Sequence, residues 1–363
     1  NRYNDPKDIS NCGLCGFINK KKKRVSGETI IKGIAIQHDR GNGLGGGFAA
    51  YGIYPDYADF YALHIMFDNN VAINETEAFL KDAVTIEHIE VIPTRKTKNI
   101  TSAPFLKRYF VKPFTSMEEF EKFGLIDKDE DEYIVRVVMY VNDKIKGAYI
   151  FSSGKNMGAF KGVGFPEDIA DFFRLEEYLG YIWTAHNRFP TNTPGWWGGA
   201  HPFTLLDWSI VHNGEISSYG INKRYLEMFG YKCTLLTDTE VVAYLLDLLI
   251  RKHGLSEEVA CSVLASPFWK DIDKMEDAEK TAYAALRMVY GSALLNGPFA
   301  ILFANSKGLI GINDRVKLRP LVIGEADGFI YMGSEISSLK EMNNNIVNIW
   351  APKAGEPVIV HFE

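Results

Sequence analysis

The sequence predicts an α+β domain built from antiparallel sheets and covering helices. Strand-like and helix-like patterns occur in mixed blocks: residues 61–67 alternate as a strand, whereas residues 28–38 carry apolar side chains at helical spacing. From Phe299 onwards the pattern consists mainly of strands separated by short turns. Mixed blocks of this kind are typical of layered α+β domains. No internal repeat or low-complexity linker divides the 363 residues.

The composition is that of an ordinary globular protein, with 46% hydrophobic and 24% charged residues. A formal net charge of −6 gives no overall attraction to nucleic acid or to anionic membranes. No apolar run approaches the roughly 18 residues that a membrane span needs. Four cysteines are too few for a disulfide scaffold, and no second Cys-x-x-Cys or His-x-x-x-His completes a zinc set. We therefore expect a cytoplasmic protein without a metal or cofactor in this chain.

Further elements are predicted along the chain from periodicity and flanking turn residues. The predicted helices are residues 28–38, 75–83, 166–178, 237–254 and 277–290. The predicted strands are residues 61–67, 84–93, 133–140, 147–152, 181–185, 208–211, 300–304, 309–312, 329–332 and 358–362. Thr237 and Glu240 have the spacing of a capping box. Residues 95–130 are charged and irregular in period, which indicates an inserted or peripheral segment.

A glycine-rich stretch covers residues 41–47. It has neither the spacing of a phosphate-binding P-loop nor that of a dinucleotide-binding fingerprint. We therefore interpret it as a tight passage from the preceding helix to the next strand, with close backbone packing.

The hexapeptide Cys12-Gly-Leu-Cys15-Gly-Phe17 begins a short strand that ends in the polar run of residues 19–24. A cysteine at the start of a buried strand is held in place and is reached from one side, as a nucleophile requires. The same spacing also fits half of a zinc site, a redox pair or two core cysteines. Cys12 is the candidate nucleophile, and Cys15 is the reserve candidate, otherwise a small buried side chain.

Three further clusters follow: His186-Asn-Arg-Phe-Pro-Thr191, His212-Asn-Gly-Glu215 and Thr237-Asp-Thr-Glu240. Together with the Cys12 cluster, and in this order, they resemble the class II glutamine amidotransferases. That family has the N-terminal-nucleophile fold, a four-layer αββα sandwich with antiparallel sheets. The resemblance is greatest to the amidotransferase part of glutamate synthase, supported by the segments at residues 200–203, 314–321 and 333–335. It covers nearly the whole chain, from about residue 12 to residue 360.

The resemblance implies a catalytic mechanism. Cys12 would attack the side-chain amide of glutamine, form a glutamyl thioester and release ammonia. The free α-amine of the same cysteine would act as the base, since such an amine titrates near pH 8. The side-chain amide of Asn213 and the backbone N–H of Gly214 would form the oxyanion hole. Without the resemblance, Asn213-Gly214 fits an ordinary hairpin turn.

The resemblance also implies a substrate site for a free amino acid. Arg188 would bind the α-carboxylate, and Asp238 would pair with the α-ammonium group. Thr191 and His212 complete the expected substrate site. Simpler interpretations remain for each: a surface ion pair for Arg188, a favourable first-turn charge for Asp238, a loop brace for Thr191, and a packing or supporting role for His212.

The resemblance also has consequences for the organisation of the protein. Because eleven residues precede Cys12, we expect residues 1–11 to be a leader that is removed, and residues 12–363 to be one amidotransferase domain. The sequence shows no flavin-binding barrel, iron–sulfur cysteine set or phosphoribosyl-diphosphate loop. We therefore expect a separate, glutamate-synthase-like partner that accepts the ammonia and carries the FMN and the iron–sulfur centre. The alternatives are an N-terminal-nucleophile amidohydrolase for another amide, or a catalytically silent regulatory or scaffold subunit.

Overall fold

The computed structural model describes residues 11–190 and 195–363. Its strands are β1 (Gly13–Asn19), β2 (Val25–Ser26), β3 (Gly46–Tyr51), β4 (Tyr61–Phe67), β5 (Val84–Val91), β6 (Phe105–Pro113), β7 (Ala148–Ser152), β8 (Met157–Gly162), β9 (Leu179–Gly180), β10 (Ile182–Asn187), β11 (Phe203–Leu205), β12 (Trp208–Gly214), β13 (Phe299–Asn305), β14 (Gly308–Asn313), β15 (Val322–Ala326), β16 (Phe329–Gly333), β17 (Asn348–Trp350) and β18 (Val358–His361). Its helices are α1 (Glu28–Ala35), α2 (Asn70–Ala83), α3 (Met117–Lys122), α4 (Glu130–Lys144), α5 (Pro166–Phe172), α6 (Tyr219–Met228), α7 (Asp238–Leu246), α8 (Glu257–Leu264), α9 (Trp269–Ile272), α10 (Asp277–Val289) and α11 (Ile336–Met342).

Two antiparallel sheets form the centre of the fold. One has the strand order β17-β15-β16-β1-β10-β3-β8, and the other has the order β11-β12-β13-β14-β18. The sheets pack face to face through one buried cluster, to which β1 contributes Leu14 and Ile18 and the second sheet contributes Val211 and Leu302. Because side chains alternate across a strand, Cys15 and Phe17 of β1 point to the opposite face.

Helices cover the outer face of each sheet. Cys15 and Phe17 share a core with Ile30 and Ile34 of α1, and α5 and α11 contribute to the same core. On the other side, the outward-facing residues of β12, β13 and β14 pack against α7 and α8. The layers therefore run helix, sheet, sheet, helix. The predicted α+β class and the four-layer αββα sandwich with antiparallel sheets are confirmed.

A smaller antiparallel sheet has the order β5-β6-β4-β7. The irregular-looking residues 95–130 supply its inner strand β6, together with α3. The strand is difficult to recognise in the sequence because it contains charged residues. These residues form ion pairs within the fold. Arg108 is 5% exposed and donates to Glu90 at 2.9 Å from Nε, and Lys107 pairs with Glu77.

The prediction of a strand over residues 133–140 is wrong, because the structure has helix α4 there. The carboxylate of Asp129 caps this helix by accepting the backbone N–H of Glu132 at 3.0 Å. Most of the helix surface is buried, including Ile134 and Val135. A helix that is buried on nearly all sides reads as a continuous apolar run, which periodicity alone cannot distinguish from a buried strand.

Several other predictions are confirmed, with shifted ends. The helices near residues 28–38, 75–83 and 277–290 are present, as are the strands at residues 147–152 and 309–312. The helix predicted over 166–178 ends at Phe172, soon before Arg174 adopts a left-handed conformation with φ 57°. The helix that begins at Asp238 continues through wider π-helical turns to Lys252. None of the helices in the described residues is long and apolar enough to cross a bilayer.

The glycine-rich stretch makes the close packing that the sequence predicts. A Cβ atom on Gly47 would lie 2.2 Å from the carbonyl oxygen of His201, and one on Gly41 would lie 1.8 Å from Oδ1 of Asn187. A side chain at either position would displace the strand ends that surround the candidate site.

Replacing Leu302 with alanine tests the core shared by the two sheets. This side chain is fully buried between them, so Leu302→Ala should lower the free energy of unfolding by about 2–5 kcal/mol in urea denaturation. Met288→Ala, at a side chain that is 74% exposed, is the control and should change it by less than about 0.5 kcal/mol. A loss at Leu302 no larger than the control would contradict this packing.

Candidate active site

The ends of two neighbouring strands and the start of a helix converge on one cavity. Antiparallel pairing of β1 with β10 sets Gly13 opposite Asn187, which places Cys12 beside Arg188. Both residues line a cavity of about 240 Å³ together with Gly214 and Asp238. This is below the roughly 300–1,000 Å³ of sites for drug-sized ligands, and it suits a molecule of the size of an amino acid.

The Cys12 thiol lies in a desolvated but partly compensated environment. Its Sγ accepts the backbone N–H of Phe189 at 3.2 Å. Burial raises the pKa of the thiol, whereas the Phe189 N–H and the positive charge of Arg188 act in the opposite direction. The thiolate therefore has stabilising partners but needs a base to form near neutral pH.

A partly buried arginine, Arg40, contacts the backbone at Cys12. Arg40 donates to the carbonyl oxygen of Cys12 from Nε at 3.2 Å and from Nη2 at 3.1 Å. Its Nη1 pairs with Glu335 at 2.5 Å. No local pattern in the sequence points to this role of Arg40, because its contact partners lie 28 and 295 positions away.

The two candidate oxyanion-hole residues occupy the end of β12. Gly214 lines the cavity and has φ +147°, and a Cβ there would lie 1.9 Å from the carbonyl oxygen of Pro298. Only glycine fits this position. Asn213 is fully buried, and its Nδ2 lies 3.4 Å from Oγ of Ser334. It does not itself line the cavity in the described part of the chain.

Asp238 is oriented by three groups at the start of α7. Its Oδ2 accepts the N–H of Ile216 at 3.0 Å, and its Oδ1 accepts the hydroxyl of Thr239 at 3.1 Å. His212 Nδ1 lies 3.8 Å from Oδ2. Asp238 and Arg188 both line the cavity, which therefore contains charges of opposite sign.

Three buried histidines lie next to these groups, and two of them, His201 and His212, line the cavity. His186 Nε2 lies 2.8 Å from the carbonyl oxygen of His212, so this nitrogen carries the hydrogen. His201 accepts the N–H of His212 at 3.3 Å and stacks on His186 with 3.9 Å between ring centres. Burial lowers the pKa of His186 to about 3 and that of His201 well below its usual value. Burial therefore disfavours the charged forms of these two rings, which fits a packing role for them.

No metal site emerges from the described residues. Within residues 11–190 and 195–363, no three His, Cys, Asp or Glu side chains are arranged to hold a metal ion. Cys15 is fully buried in the core beneath α1, and burial raises its pKa to about 12. It lies on the face of β1 away from the second sheet, and this placement disfavours it as the nucleophile. Thr191 lies outside the described residues.

The predicted capping box is present only in part. Thr237 accepts the N–H of Glu240 at 3.3 Å, as predicted. The carboxylate of Glu240 instead accepts the N–H groups of Thr234 and Leu235, at 3.0 and 2.9 Å. It fixes the segment leading to Thr237 and Asp238 rather than the helix start itself.

A buried lysine holds another part of the cavity wall. Lys161 Nζ donates to the carbonyl oxygens of Gly198 and Pro202 at 2.9 and 3.1 Å. Gly199 and His201, between these two residues, line the cavity. Burial lowers the pKa of Lys161 to about 7. Neither Lys161 nor Arg40 belongs to a motif in the sequence, because their contacts to the cavity wall are to backbone carbonyls, which any residue can supply.

Comparison with known proteins defines the family. Residues 58–363 match the family model of class II glutamine amidotransferases. The chain is a member of this family. The match begins after Cys12, so the assignment rests on the remainder of the chain, and the position of Cys12 rests on the geometry above.

Three relatives illustrate the range of similarity. The chain is 52% identical over 356 residues to an uncharacterized protein of Archaeoglobus fulgidus, covering 97% of this chain and 93% of the relative. It is 29% identical over 226 residues to a glutamine–fructose-6-phosphate aminotransferase (isomerizing) of Sulfurisphaera tokodaii, covering 61% of this chain and 33% of the relative. It is 28% identical over 200 residues to an amidophosphoribosyltransferase of Methanocaldococcus jannaschii, covering 54% and 36%. The chain thus spans about a third of the length of the two named enzymes.

The burial of His186 should make the stability of the protein depend on pH. The folded-state pKa of His186, about 3, lies below the ordinary value near 6.5. Between these two pH values His186 binds a proton in the unfolded chain but not in the folded chain. The free energy of unfolding therefore falls as the pH decreases. The protonation of His186 in the unfolded chain should lower the free energy of unfolding by about 2 kcal/mol between pH 7 and pH 5.

Urea unfolding at pH 7 and pH 5 measures this effect. The variant His186→Gln should lose about 2 kcal/mol less than the wild type over this range, whatever its stability at pH 7. Between pH 7 and pH 8 the two proteins should show the same change. Equal losses for both proteins between pH 7 and pH 5 would refute the assignment.

Proposed function

We propose that this chain hydrolyses the side-chain amide of free L-glutamine and supplies the ammonia to a partner synthase. The observation that carries the proposal is the cavity in which the Cys12 thiol faces a cation, Arg188, and an anion, Asp238. A free α-amino acid presents a carboxylate and an ammonium group, so these two charges match its two ends. Membership of the class II glutamine amidotransferases supports glutamine as that amino acid.

The proposed reaction is supported by these positions and by the resemblance to the family. The α-amine of Cys12 accepts the thiol proton, and the sulfur attacks the amide carbon of glutamine. The resulting oxyanion accepts hydrogen bonds from the N–H of Gly214 and from the side-chain amide of Asn213, after the latter leaves Ser334. The ammonium form of the α-amine then returns its proton to the leaving nitrogen as ammonia. Water hydrolyses the glutamyl thioester to glutamate by the same base.

The base requires a free amine at Cys12, so we propose that residues 1–11 are removed. The contact between Arg319 and the side chain of Asn11 adjoins the proposed cleavage point. Thr191 and His212 are proposed as further substrate-site residues, and His212 lines the cavity.

The ammonia acceptor is proposed to be a separate glutamate-synthase-like subunit that carries FMN and an iron–sulfur centre. The two named relatives extend over about three times the matched part, which is the pattern of an amidotransferase domain that works with a second catalytic unit. The sequence resemblance to the amidotransferase part of glutamate synthase supports this choice of acceptor.

Covalent labelling tests the nucleophile. A diazo-ketone analogue of glutamine should add one label to Cys12 of the active protein, located by peptide mass spectrometry. Cys12→Ala should abolish labelling and lower glutaminase activity by about a thousandfold or more. Cys15→Ala is the matched control and should label normally, because that thiol is buried away from the cavity. Absence of labelling in the wild type would instead favour a regulatory subunit.

The charge of Asp238 should determine substrate affinity. Asp238→Asn keeps the shape of the side chain but removes the ammonium partner, so KM for glutamine should rise by about 10- to 100-fold, as expected for a charge-assisted hydrogen bond. Asp277→Asn, on the exposed start of α10, removes the same charge elsewhere and should leave KM unchanged. A KM for Asp238→Asn within twofold of the wild type would exclude this role.

Removal of the leader is tested by intact-mass analysis. The active protein should begin at Cys12, because only a free amine there can act as the base. A variant in which Asn11 and Cys12 remain joined should lose glutaminase activity. Full activity of a chain that retains residues 1–11 would contradict the proposed base.

A further inference from the structure

A small pocket of about 150 Å³ lies where α8, α9 and the end of α10 meet. It shares no lining residue with the cavity of the candidate active site. Its apolar lining includes Val263, Leu286 and Leu294, and its polar lining includes Ser266 and Arg287. Apolar walls with a few polar groups are the usual form of a small-molecule site, and this volume is below that of sites for drug-sized ligands. The pocket therefore suits a ligand of only a few non-hydrogen atoms.

A buried hydroxyl group in this pocket has no hydrogen-bond partner. Ser266 is 1% exposed, and its Oγ contacts no donor or acceptor in the described part of the chain. Buried polar groups are nearly always hydrogen-bonded, because an unpaired group loses its contacts with water and gains nothing in return. The hydroxyl of Ser266 is therefore available to donate to an acceptor that enters the pocket.

Arg287 supplies a positive charge to the same pocket. Its Nη1 donates to the carbonyl oxygen of Pro267 at 2.8 Å, and its guanidinium carbon lies 4.4 Å from the centre of the Trp269 ring. These contacts use only part of the five N–H donors of a guanidinium and leave its charge uncompensated. Burial lowers the pKa of Arg287, and no carboxylate of the described residues offsets this effect.

A second arginine adds to this positive charge. Arg315 donates from Nη1 to the carbonyl oxygen of Ser266 at 3.3 Å, and its guanidinium carbon lies 4.2 Å from the centre of the Phe268 ring. The two arginines thus contact neighbouring carbonyls, those of Ser266 and Pro267. Burial and the charge of Arg287 both lower the pKa of Arg315. Two cations that repel each other, without a carboxylate partner among the described residues, favour a bound anion.

We propose that this pocket binds a small monocarboxylate that carries a short apolar chain. The carboxylate accepts hydrogen bonds from the guanidinium of Arg287 and from the hydroxyl of Ser266, because an arginine fork matches a planar carboxylate. The apolar chain packs against Val263, Leu286 and Leu294. Inorganic phosphate fits less well, because the apolar walls would leave some of its oxygens without donors. The proposal does not depend on the proposed glutaminase function.

Calorimetric titration of the full chain with butyrate tests the binding. Butyrate should bind saturably. Butyramide, which has nearly the same shape but no charge, should bind at least about tenfold more weakly, because it lacks the charge-assisted hydrogen bonds. Inorganic phosphate should also bind at least about tenfold more weakly, because it cannot use the apolar walls. No saturable binding of butyrate at millimolar concentrations, or equal binding of butyramide, would overturn the proposal.

Three variants and a control locate the site. Arg287→Gln should weaken butyrate binding about tenfold or more, and Ser266→Ala about threefold or more, with circular dichroism spectra like that of the wild type. Arg287→Lys keeps the charge but loses the planar fork, so its affinity should lie between those of the wild type and Arg287→Gln. Arg224→Gln removes the same charge from an exposed position of α6 and should bind butyrate normally. Wild-type affinity in both Arg287→Gln and Ser266→Ala, or equal weakening by Arg224→Gln, would overturn the site.

The cavity of the candidate active site is the competing location for butyrate, because it also contains an arginine, Arg188. Arg188→Gln should retain the butyrate binding that depends on Arg287. Loss of binding in Arg188→Gln, together with normal binding in Arg287→Gln, would place the acid in that cavity and would overturn the proposal. Glutaminase activity does not enter these measurements, so a failure of the proposed function and a failure of this site are distinguishable.

Discussion

The antiparallel pairing of β1 with β10 is the constraint on which the rest of this structure depends. It brings the start of one strand to the end of the other, and so sets Cys12 beside Arg188, 176 positions away in the chain. The register is fixed because Leu14 and Ile18 must face the second sheet while Cys15 and Phe17 face the helices. A shift of the register by one residue would exchange these faces, so that each side chain would face the layer against which it does not pack.

The candidate site contains both charged side chains and neutral imidazole rings. The stacked rings of His186 and His201 stay neutral because burial disfavours their charged forms. Arg188 and Asp238 supply opposite charges in the same cavity as the thiol, and both influence its titration, as does Arg319. The cavity therefore combines neutral imidazole rings with charges of both signs, a positive one from Arg188 and negative ones from Asp238 and Glu215.

The supports of the cavity are mainly contacts to backbone atoms. Arg40 contacts the carbonyl of Cys12, Lys161 contacts two carbonyls of the wall, and Glu240 contacts two amides of the segment before Asp238. Such contacts hold loops in place without requiring a particular residue on the other side. They explain how a loop-built cavity is rigid enough to place a thiol, a cation and an anion within one small volume.

The sequence by itself determined the fold class, the four clusters and the residues in them, because strand and helix periods and short motifs are local properties. It was wrong about α4, where burial on nearly all sides removed the helical period, and it missed β6, whose charged residues are paired. Only the tertiary structure decided that Cys12, Arg188, Gly214 and Asp238 share one cavity, that Cys15 faces away from it, and that Arg40 and Lys161 support it. These relations depend on strand register and on contacts between residues far apart in the chain, which no local pattern contains.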